Sequence, residues 1–383
     1  MTVAKRTRFT PPSTRFAPPP TRFAPPMPRR ILLATDAWTP QVNGVVRTLQ
    51  ETVARLRARG HVVELVTPDL FVNMPMPFYG EIRLAMAPGA RAARLIEAFR
   101  PDLVHIATEG PIGWAARRWC RRNAMPFTTA FHTRFPDYAA VRTGLSAERF
   151  WPIMRHFHAP SRAVLAATPS LRAELAARGI GPVAPWSRGI DSDLFQGAAA
   201  PDPRLRALPG PVLLYVGRVA PEKGLDDFLG SRHPGTRIVV GDGPALAGLK
   251  ARYPAAVFTG RLTGPALASA YAAADCFVFP SRSDTFGLVM VEALACGVPV
   301  AGYPVQGPID IVGPRGRGGE SRLSRTIGAV DDDLDNAIAH ALLAGRADCA
   351  AYGAGFSWDA ATDQFVAALG AVLEDGRSSP LAA

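Results

Sequence analysis

Two acidic side chains eight residues apart, Asp284 and Glu292, are the first candidates for chemistry in this chain. They stand within residues 276–303, CFVFPSRSDTFGLVMVEALACGVPVAGY. CFVF is a short β-rich run broken by Pro280-Ser281-Arg282-Ser283, and Asp284-Thr285 offers N-cap chemistry for a helix running to about Cys296. Gly297 and Pro299 stop that helix before a second apolar strand, VPVAGY. The helix is apolar nearly all round, as helices buried on every side are. Glu292 nevertheless sits in its middle, where a carboxylate costs several kcal/mol unless something hydrogen-bonds it. At ~1.5 Å per residue the two acids stand up to ~12 Å apart, too far for the roughly 5–9 Å carboxylate pair that cleaves glycosides. The spacing suits two grips on one long ligand, with the free N–H groups of Thr285, Phe286, Gly287 and Leu288 between them to hold an anion. A sugar, a diphosphate and a ribose in a row fit that description. The plainer alternative makes Asp284 a cap and pairs Glu292 with an arginine in the core.

Other residue types point the same way. PVLLYVGRVAPEKGL (211–225) reads as a strand followed by a turn that carries Arg218 and Lys223. Two cations on one turn, near an anion-binding helix end, suit a departing diphosphate; the alternative is a solvated basic turn. His132 falls at the carboxyl end of the strand PFTTAFHT, where ligands gather in open α/β sheets, although a lone histidine is more often structural. Asn43-Gly44 occupies the turn after the first strand, where Gly lets the backbone approach a ligand or simply tightens the turn. Glu109, opening a helix through Arg122, either contacts hydroxyl groups or caps that helix. Asp331-Asp332-Asp333 invites a metal reading, but an acidic first turn of the helix DLDNAIAHALLAG explains it better. With Arg218, Lys223 and a helix N-terminus to stabilise a leaving diphosphate, no metal is demanded, and no cofactor is expected.

The elements that must position these groups alternate between apolar runs and amphipathic helical stretches. ILLATD, a loop, the helix VVRTLQETVARLRARG and HVVELVTP form a β-loop-α-β opening of the doubly wound kind. It lacks G-x-G-x-x-G, which argues against a dinucleotide. A helix around 90–99 and the strand PDLVHIAT follow. The expected organisation is a Pro-rich disordered tail (1–28), a first α/β domain (29–196), a linker (197–210), a second α/β domain (211–355) and a terminal segment (356–383) whose helix FSWDAATDQFVAAL crosses back to the first domain. The tail repeats with period seven, TRFTPPS, TRFAPPP, TRFAPPM, a composition that cannot form a core. With 383 residues and 48% hydrophobic content, two ordinary domains fit. No run of 18 apolar residues and no signal-peptide pattern occur, and the four cysteines show no C-x-x-C spacing. The formal charge of +11 is nearly all arginine, lysine standing only at positions 5, 223 and 250. Clusters such as Arg55/Arg57/Arg59, Arg91/Arg94 and Arg117-Arg118 with Arg121-Arg122 suit anionic lipid heads or solvated helix faces, and no nucleic-acid-binding signature supports nucleic acid.

These segments resemble the retaining glycosyltransferases of family 4, also called group 1, over nearly the whole chain after residue 28. Asp284…Glu292 looks like the family's E-x7-E signature, with Asp replacing the first Glu and reaching one methylene less. Arg218-x4-Lys223-Gly224 has the form of its phosphate-binding pair, and Gly241-Asp242-Gly243-Pro244 that of its G-D/E-G-P loop beside the nucleotide. Gly260-Arg261-Leu262 resembles the segment against the base, FHTRF the context of a histidine on the donor sugar, and Arg188-Gly189-Ile190-Asp191…Phe195 the domain-junction pattern. The resemblance implies an α/β fold of two Rossmann-like domains facing across a cleft (the GT-B architecture). It implies His132, Arg218, Lys223 and Asp284 as catalytic groups. Donor binding would fall to Asn43, Gly44, Arg188, Gly241, Gly243, Arg261, Leu262, Thr285, Phe286, Gly287, Leu288 and Glu292, and acceptor binding to Glu109.

The expected activity is retaining transfer of a hexosyl group from a UDP- or GDP-linked sugar, without metal, a donor phosphate oxygen assisting the incoming hydroxyl. DAWTPQVNGV and GYPVQGPIDIV are similar to lipid- and mannosyl-directed members, which points to a membrane lipid such as diacylglycerol as acceptor. The enzyme would then be cytoplasmic and peripheral on an anionic inner membrane face. Polysaccharide or lipid-linked oligosaccharide assembly is the second reading. A sugar-nucleotide epimerase and a non-catalytic polyanion- or membrane-binding basic protein are rivals from other classes.

Overall fold

The computed structural model describes residues 28–41, 44–76, 79–282, 286–319 and 323–377. The Pro-rich repeat, Asn43, Asp284 and Thr285 lie outside the described residues.

Two parallel sheets carry the chain. The first contains β1 (Arg30–Ala34), β2 (Val62–Val66), β5 (Leu103–Ile106), β6 (Phe127–Ala130), β7 (Ala163–Ala166) and β8 (Val183–Pro185), in the order β2-β1-β5-β6-β7-β8. A small antiparallel hairpin, β3 (Asn73–Met76) with β4 (Tyr79–Ala85), is inserted after β2 and was not expected from the sequence. The second sheet contains β9 (Val212–Val216), β10 (Thr236–Val240), β11 (Val257–Gly260), β12 (Cys276–Phe279), β13 (Val300–Gly302) and β14 (Gly328–Val330), in the order β11-β10-β9-β12-β13-β14. Strand order reverses between β1 and β5 in one sheet and between β9 and β12 in the other. Crevices beyond the carboxyl ends of strands at such reversals are where open α/β sheets bind ligands. Arg218 and Lys223 follow β9, and Pro280 to Arg282 follow β12, so these segments flank the second crevice.

Both faces of each sheet are covered, which is why the strands read as continuous apolar runs. In β1, Ile31 and Leu33 face one cluster while Leu32 and Ala34 face another. The cluster under Ile31 and Leu33 is completed by Trp358, Ala361, Phe365, Ala368 and Leu369 of the last helix, Trp358–Arg377, which packs against the helix Gly44–Ala58 and the first sheet. The terminal helix therefore belongs to the first domain's core, and it runs past the expected end near residue 369. Residues 197–210 include a short helix, Pro203–Arg206, whose Leu205 joins the second domain's core.

Backbone and side-chain hydrogen bonds join the domains. Ile190 and Ser357 form a parallel bridge, with the Ile190 amide donating to the Phe356 carbonyl at 2.8 Å. Asp310, on the second domain's helix Gln306–Ile311, accepts from the Ser170 amide at 3.0 Å and from Ser170 Oγ at 2.6 Å. Ser170 stands in the first turn of the helix Pro169–Ala177, where a carboxylate also meets the positive end of the helix dipole.

Phe365 is fully buried against Trp186 (ring centroids 4.8 Å) and His105 (4.9 Å). Phe365→Ala should destabilise the protein by about 3–5 kcal/mol, the usual range for deleting a buried aromatic ring. A urea midpoint unchanged from the parent would show that the terminal helix contributes nothing to the first domain.

Candidate functional site

The site is assembled from loops at the carboxyl ends of both sheets. On the second domain, the helix carrying Glu292 spans Leu288–Ala295, three residues later than Asp284-Thr285 capping places it. Its N-cap is Gly287, left-handed at φ +75°, with no side-chain cap. A Cβ at Gly287 would lie 2.7 Å from Met290 Cε and 3.0 Å from the Phe279 ring, so only glycine fits this turn. The first turn of the helix thus begins at Leu288, with the Met290 amide donating to the Gly287 carbonyl at 3.0 Å. Phe286 packs against the second domain's core and stands edge-on to Phe356 at 6.4 Å.

Glu292 is buried and its carboxylate accepts from the Tyr271 hydroxyl at 3.0 Å, not from the core arginine of the plainer sequence alternative. Burial pushes its carboxyl up to about 7, while the Tyr271 bond and the charge of Arg47 pull the other way. Arg47 belongs to the first domain's helix Gly44–Ala58, so the two domains face each other across this carboxylate.

The turns after β9 and β10 are tied together. The Val219 amide donates to the Asp242 carbonyl at 2.9 Å, and the Gly217 amide to the Val240 carbonyl at 3.0 Å. Gly241 and Gly243 hold φ of 148° and 155°, and a Cβ there would meet the carbonyl oxygens of Gly217 and Val219 at 1.8 and 2.3 Å. Close loop packing alone therefore accounts for both glycines. Arg218 is exposed beside them, and Lys223 ends the short turn Pro221–Lys223. Arg261 is exposed at the end of β11, and Leu262 packs on the second core. Ser281, just past β12, is fully buried with its Oγ unpartnered among the described residues.

On the first domain, His132 lies two residues beyond β6 and meets Arg188, which follows β8. Arg188 Nη2 donates to His132 Nδ1 at 3.1 Å and Nη1 to Thr48 Oγ1 at 3.2 Å. An imidazole that accepts at Nδ1 carries its proton on Nε2, and burial together with the Arg188 charge holds it well below the usual histidine range, hence neutral. His132 Nε2 has no partner among the described residues. Arg188 is buried, pairs with no carboxylate among the described residues, and is brought down to about 10 by burial. Gly44 begins the helix that supplies Thr48, and the space beside its Cα is open.

Glu109 follows β5 and approaches His158 Nε2 at 3.4 Å, while His158 Nδ1 bonds Thr129 Oγ1 at 2.8 Å. Beside it Asp36, past β1, accepts from the Ile112 and Gly113 amides and from Thr108 Oγ1, and burial pushes its carboxyl up to about 6. Glu109 does not cap the helix Pro111–Arg122; Asp36 holds its first amides. Asp36, Tyr271, Asp310 and the environment of His158 were missed in the sequence. Only Asp36, at the end of the first strand run, left a signal that could have found it. A cavity of about 540 Å³ lies between the domains, lined by Thr168, Arg172, Phe286, Asp310, Tyr352 and Phe356 among others; of the residues singled out in the sequence it includes Phe286 and none of the charged groups. No group of histidine, cysteine or acidic residues suited to hold a metal occurs among the described residues.

Residues 42–194 match the family model described as Glycosyltransferase Family 4, and residues 210–344 that described as Glycosyl transferases group 1. This chain belongs to glycosyltransferase family 4. A GDP-mannose-dependent alpha-mannosyltransferase of Mycobacterium tuberculosis is 31% identical over 81% of this glycosyltransferase and 87% of its own length. The sulfoquinovosyl transferase of Arabidopsis thaliana is 30% identical over 80% of this chain and 65% of its own. Among solved structures, sucrose-phosphate synthase from Thermosynechococcus elongatus superposes with a TM-score of 0.62 at 23% identity, covering 91% of this chain and all of that one. At that identity the likeness is one of fold, the GT-B arrangement. The enzyme is thus a glycosyltransferase that uses nucleotide sugars.

The raised carboxyl of Glu292 has a definite effect on stability. In the unfolded chain it ionises near 4.5, in the folded enzyme near 7, so the native state holds the extra proton between those values. Its contribution therefore lowers stability as pH rises from about 4.5 to 7. Glu292→Gln should be more stable than the parent at pH 8, by at most about 3 kcal/mol, and equal to it at pH 4. Urea midpoints at the two pH values check this; a variant less stable at pH 8 would contradict the burial argument.

Proposed function

We propose that this enzyme transfers a hexosyl group, with retention of anomeric configuration and without a metal, from a nucleoside diphosphate sugar to a hydroxyl of a membrane lipid. The observation that carries the reading is the buried Arg188 guanidinium held by a neutral histidine and a threonine, with no carboxylate among the described residues to neutralise it. A buried cation without a counter-ion is costly, and a diphosphate arriving in the cleft supplies the missing charge. As the anomeric bond breaks, negative charge grows on that diphosphate. Arg218, Lys223 and the first turn at Leu288 then stabilise it by preorganised electrostatics, so no side-chain nucleophile is demanded. Glu292 holds the ribose hydroxyls, Asp284 the transferred sugar, and the His132 Nε2–H donates to the sugar from the facing domain. Asn43 and Gly44 close over the sugar with it. Gly241, Gly243, Arg261 and Leu262 bound the nucleotide, and Thr285, Phe286 and Gly287 lead into the phosphate-binding turn. A donor phosphate oxygen takes the proton of the incoming hydroxyl, and Glu109, with His158 behind it, orients the acceptor.

The lipid acceptor is supported by the outer surface of the first domain. Val72 (79% exposed), Met74 (45%) and Met86 (51%) lie on and beside the β3–β4 hairpin, and Arg91 and Arg94 stand on the following helix, Gly89–Phe99. Apolar side chains flanked by arginines suit a peripheral position on an anionic cytoplasmic membrane face. No helix among the described residues is long and apolar enough to cross a membrane. GDP-mannose is the first donor to try, since relatives at 31% and 32% identity are named as GDP-mannose-dependent.

Incubation of the purified chain with radiolabelled GDP-mannose, UDP-glucose and other nucleotide sugars, together with total membrane lipid, should place label in the organic phase as an α-glycoside. Label found only in soluble polysaccharide, in free sugar or in an epimerised nucleotide would overturn the lipid assignment. Lys223→Ala should lose about 10²–10³-fold in kcat with its melting temperature preserved; full turnover in that variant would remove the turn after β9 from the mechanism.

A further inference from the structure

Tyr271 is absent from every motif considered above. It lies on the helix Gly264–Ala273, which starts directly after the Gly260-Arg261-Leu262 segment. The side chain is fully buried between Phe195 and Phe277, with ring centroids 5.8 Å away in both cases. Its hydroxyl has a single partner among the described residues, Glu292 Oε2 at 3.0 Å. Facing a carboxylate, that hydroxyl can only donate. Oε2 is therefore occupied from within the protein, and Oε1 has no partner among the described residues yet is not sealed from solvent.

We infer that Tyr271 is a positioning residue that selects ribonucleotides: it pins one oxygen of Glu292 and thereby aims the other at the ribose hydroxyls of the donor. The inference rests on the proposed placement of the ribose against Glu292 and adds the group that makes that contact geometrically specific. A carboxylate free to turn about its last torsion accepts a hydroxyl in many orientations and discriminates poorly. Fixing it from a packed aromatic ring removes that freedom before the ligand arrives, which concentrates the interaction on one direction. The bond also favours the ionised carboxyl, opposing the upward push of burial. Because the same helix begins at the segment expected against the base, base and ribose recognition share one rigid element.

The test uses the full chain and isothermal titration with UDP and GDP, each compared with its 2′-deoxy and 2′,3′-dideoxy counterpart. Tyr271→Phe keeps the ring and its packing, so the melting temperature should stay near that of the parent. The parent should prefer the ribonucleotide by about tenfold or more, as expected for a hydrogen bond to a charged group, and Tyr271→Phe should reduce that preference to about threefold or less. The loss should come from weaker ribonucleotide binding, with deoxynucleotide affinity unchanged, and should appear in turnover as a raised donor KM at constant kcat. A variant that keeps the full preference overturns the role of Tyr271, as does one that loses ribo- and deoxynucleotide affinity equally. Absence of any preference in the parent instead overturns the placement of the ribose at Glu292.

Discussion

A charged group withdrawn from water must be met by a partner, and that requirement organises both halves of the cleft. In the second domain the partner is a phenol: Tyr271 donates to Glu292 inside a helix otherwise built of leucine, valine, methionine and alanine. The helix is enclosed by the sheet beneath and by the helix Arg346–Ala354 above, so the carboxylate has few routes to solvent. Burial holds its proton to about 7, while the facing Arg47 opposes that shift. Its ionisation is thus set first by burial and, to a smaller extent, by a charge on the other domain.

The first domain solves the inverse problem. Arg188 is the buried charge, and its partners are neutral oxygen and nitrogen lone pairs on Thr48 and His132. Those bonds fix the histidine tautomer and leave an N–H with nothing to bind among the described residues. Neutral acceptors satisfy the guanidinium's geometry and leave its charge uncompensated. A carboxylate in place of Thr48 would have neutralised the guanidinium; the threonine hydroxyl leaves it charged.

The layered α/β plan was legible because buried parallel strands leave uninterrupted apolar runs, as in ILLATD and CFVF, and because the family's motifs sit at the strand ends. The β3–β4 hairpin was not, since NMPMPFYGEIRLA is punctuated by proline and alternates weakly. The start of the Glu292 helix was misplaced for a specific reason. Asp284-Thr285 has the chemistry of a cap, but the turn is decided at Gly287 by the Phe279 ring and Met290, neighbours that no local rule sees. Arg188 could be singled out by resemblance, yet its burial could not, and the link from Tyr271 to Glu292 spans 21 positions that only the tertiary fold brings together. Glu109 was singled out as opening a helix and His132 by its place at a strand end; their partners stand much later in the chain, His158 at the end of the helix Trp151–His158 and Arg188 beyond β8.

The chain passes between the domains twice, and the two passages run side by side, joined from Ile190 to Phe356 and Ser357. That bridge fixes the outgoing and returning crossings to each other at one point, so a displacement of either crossing is handed directly to the other.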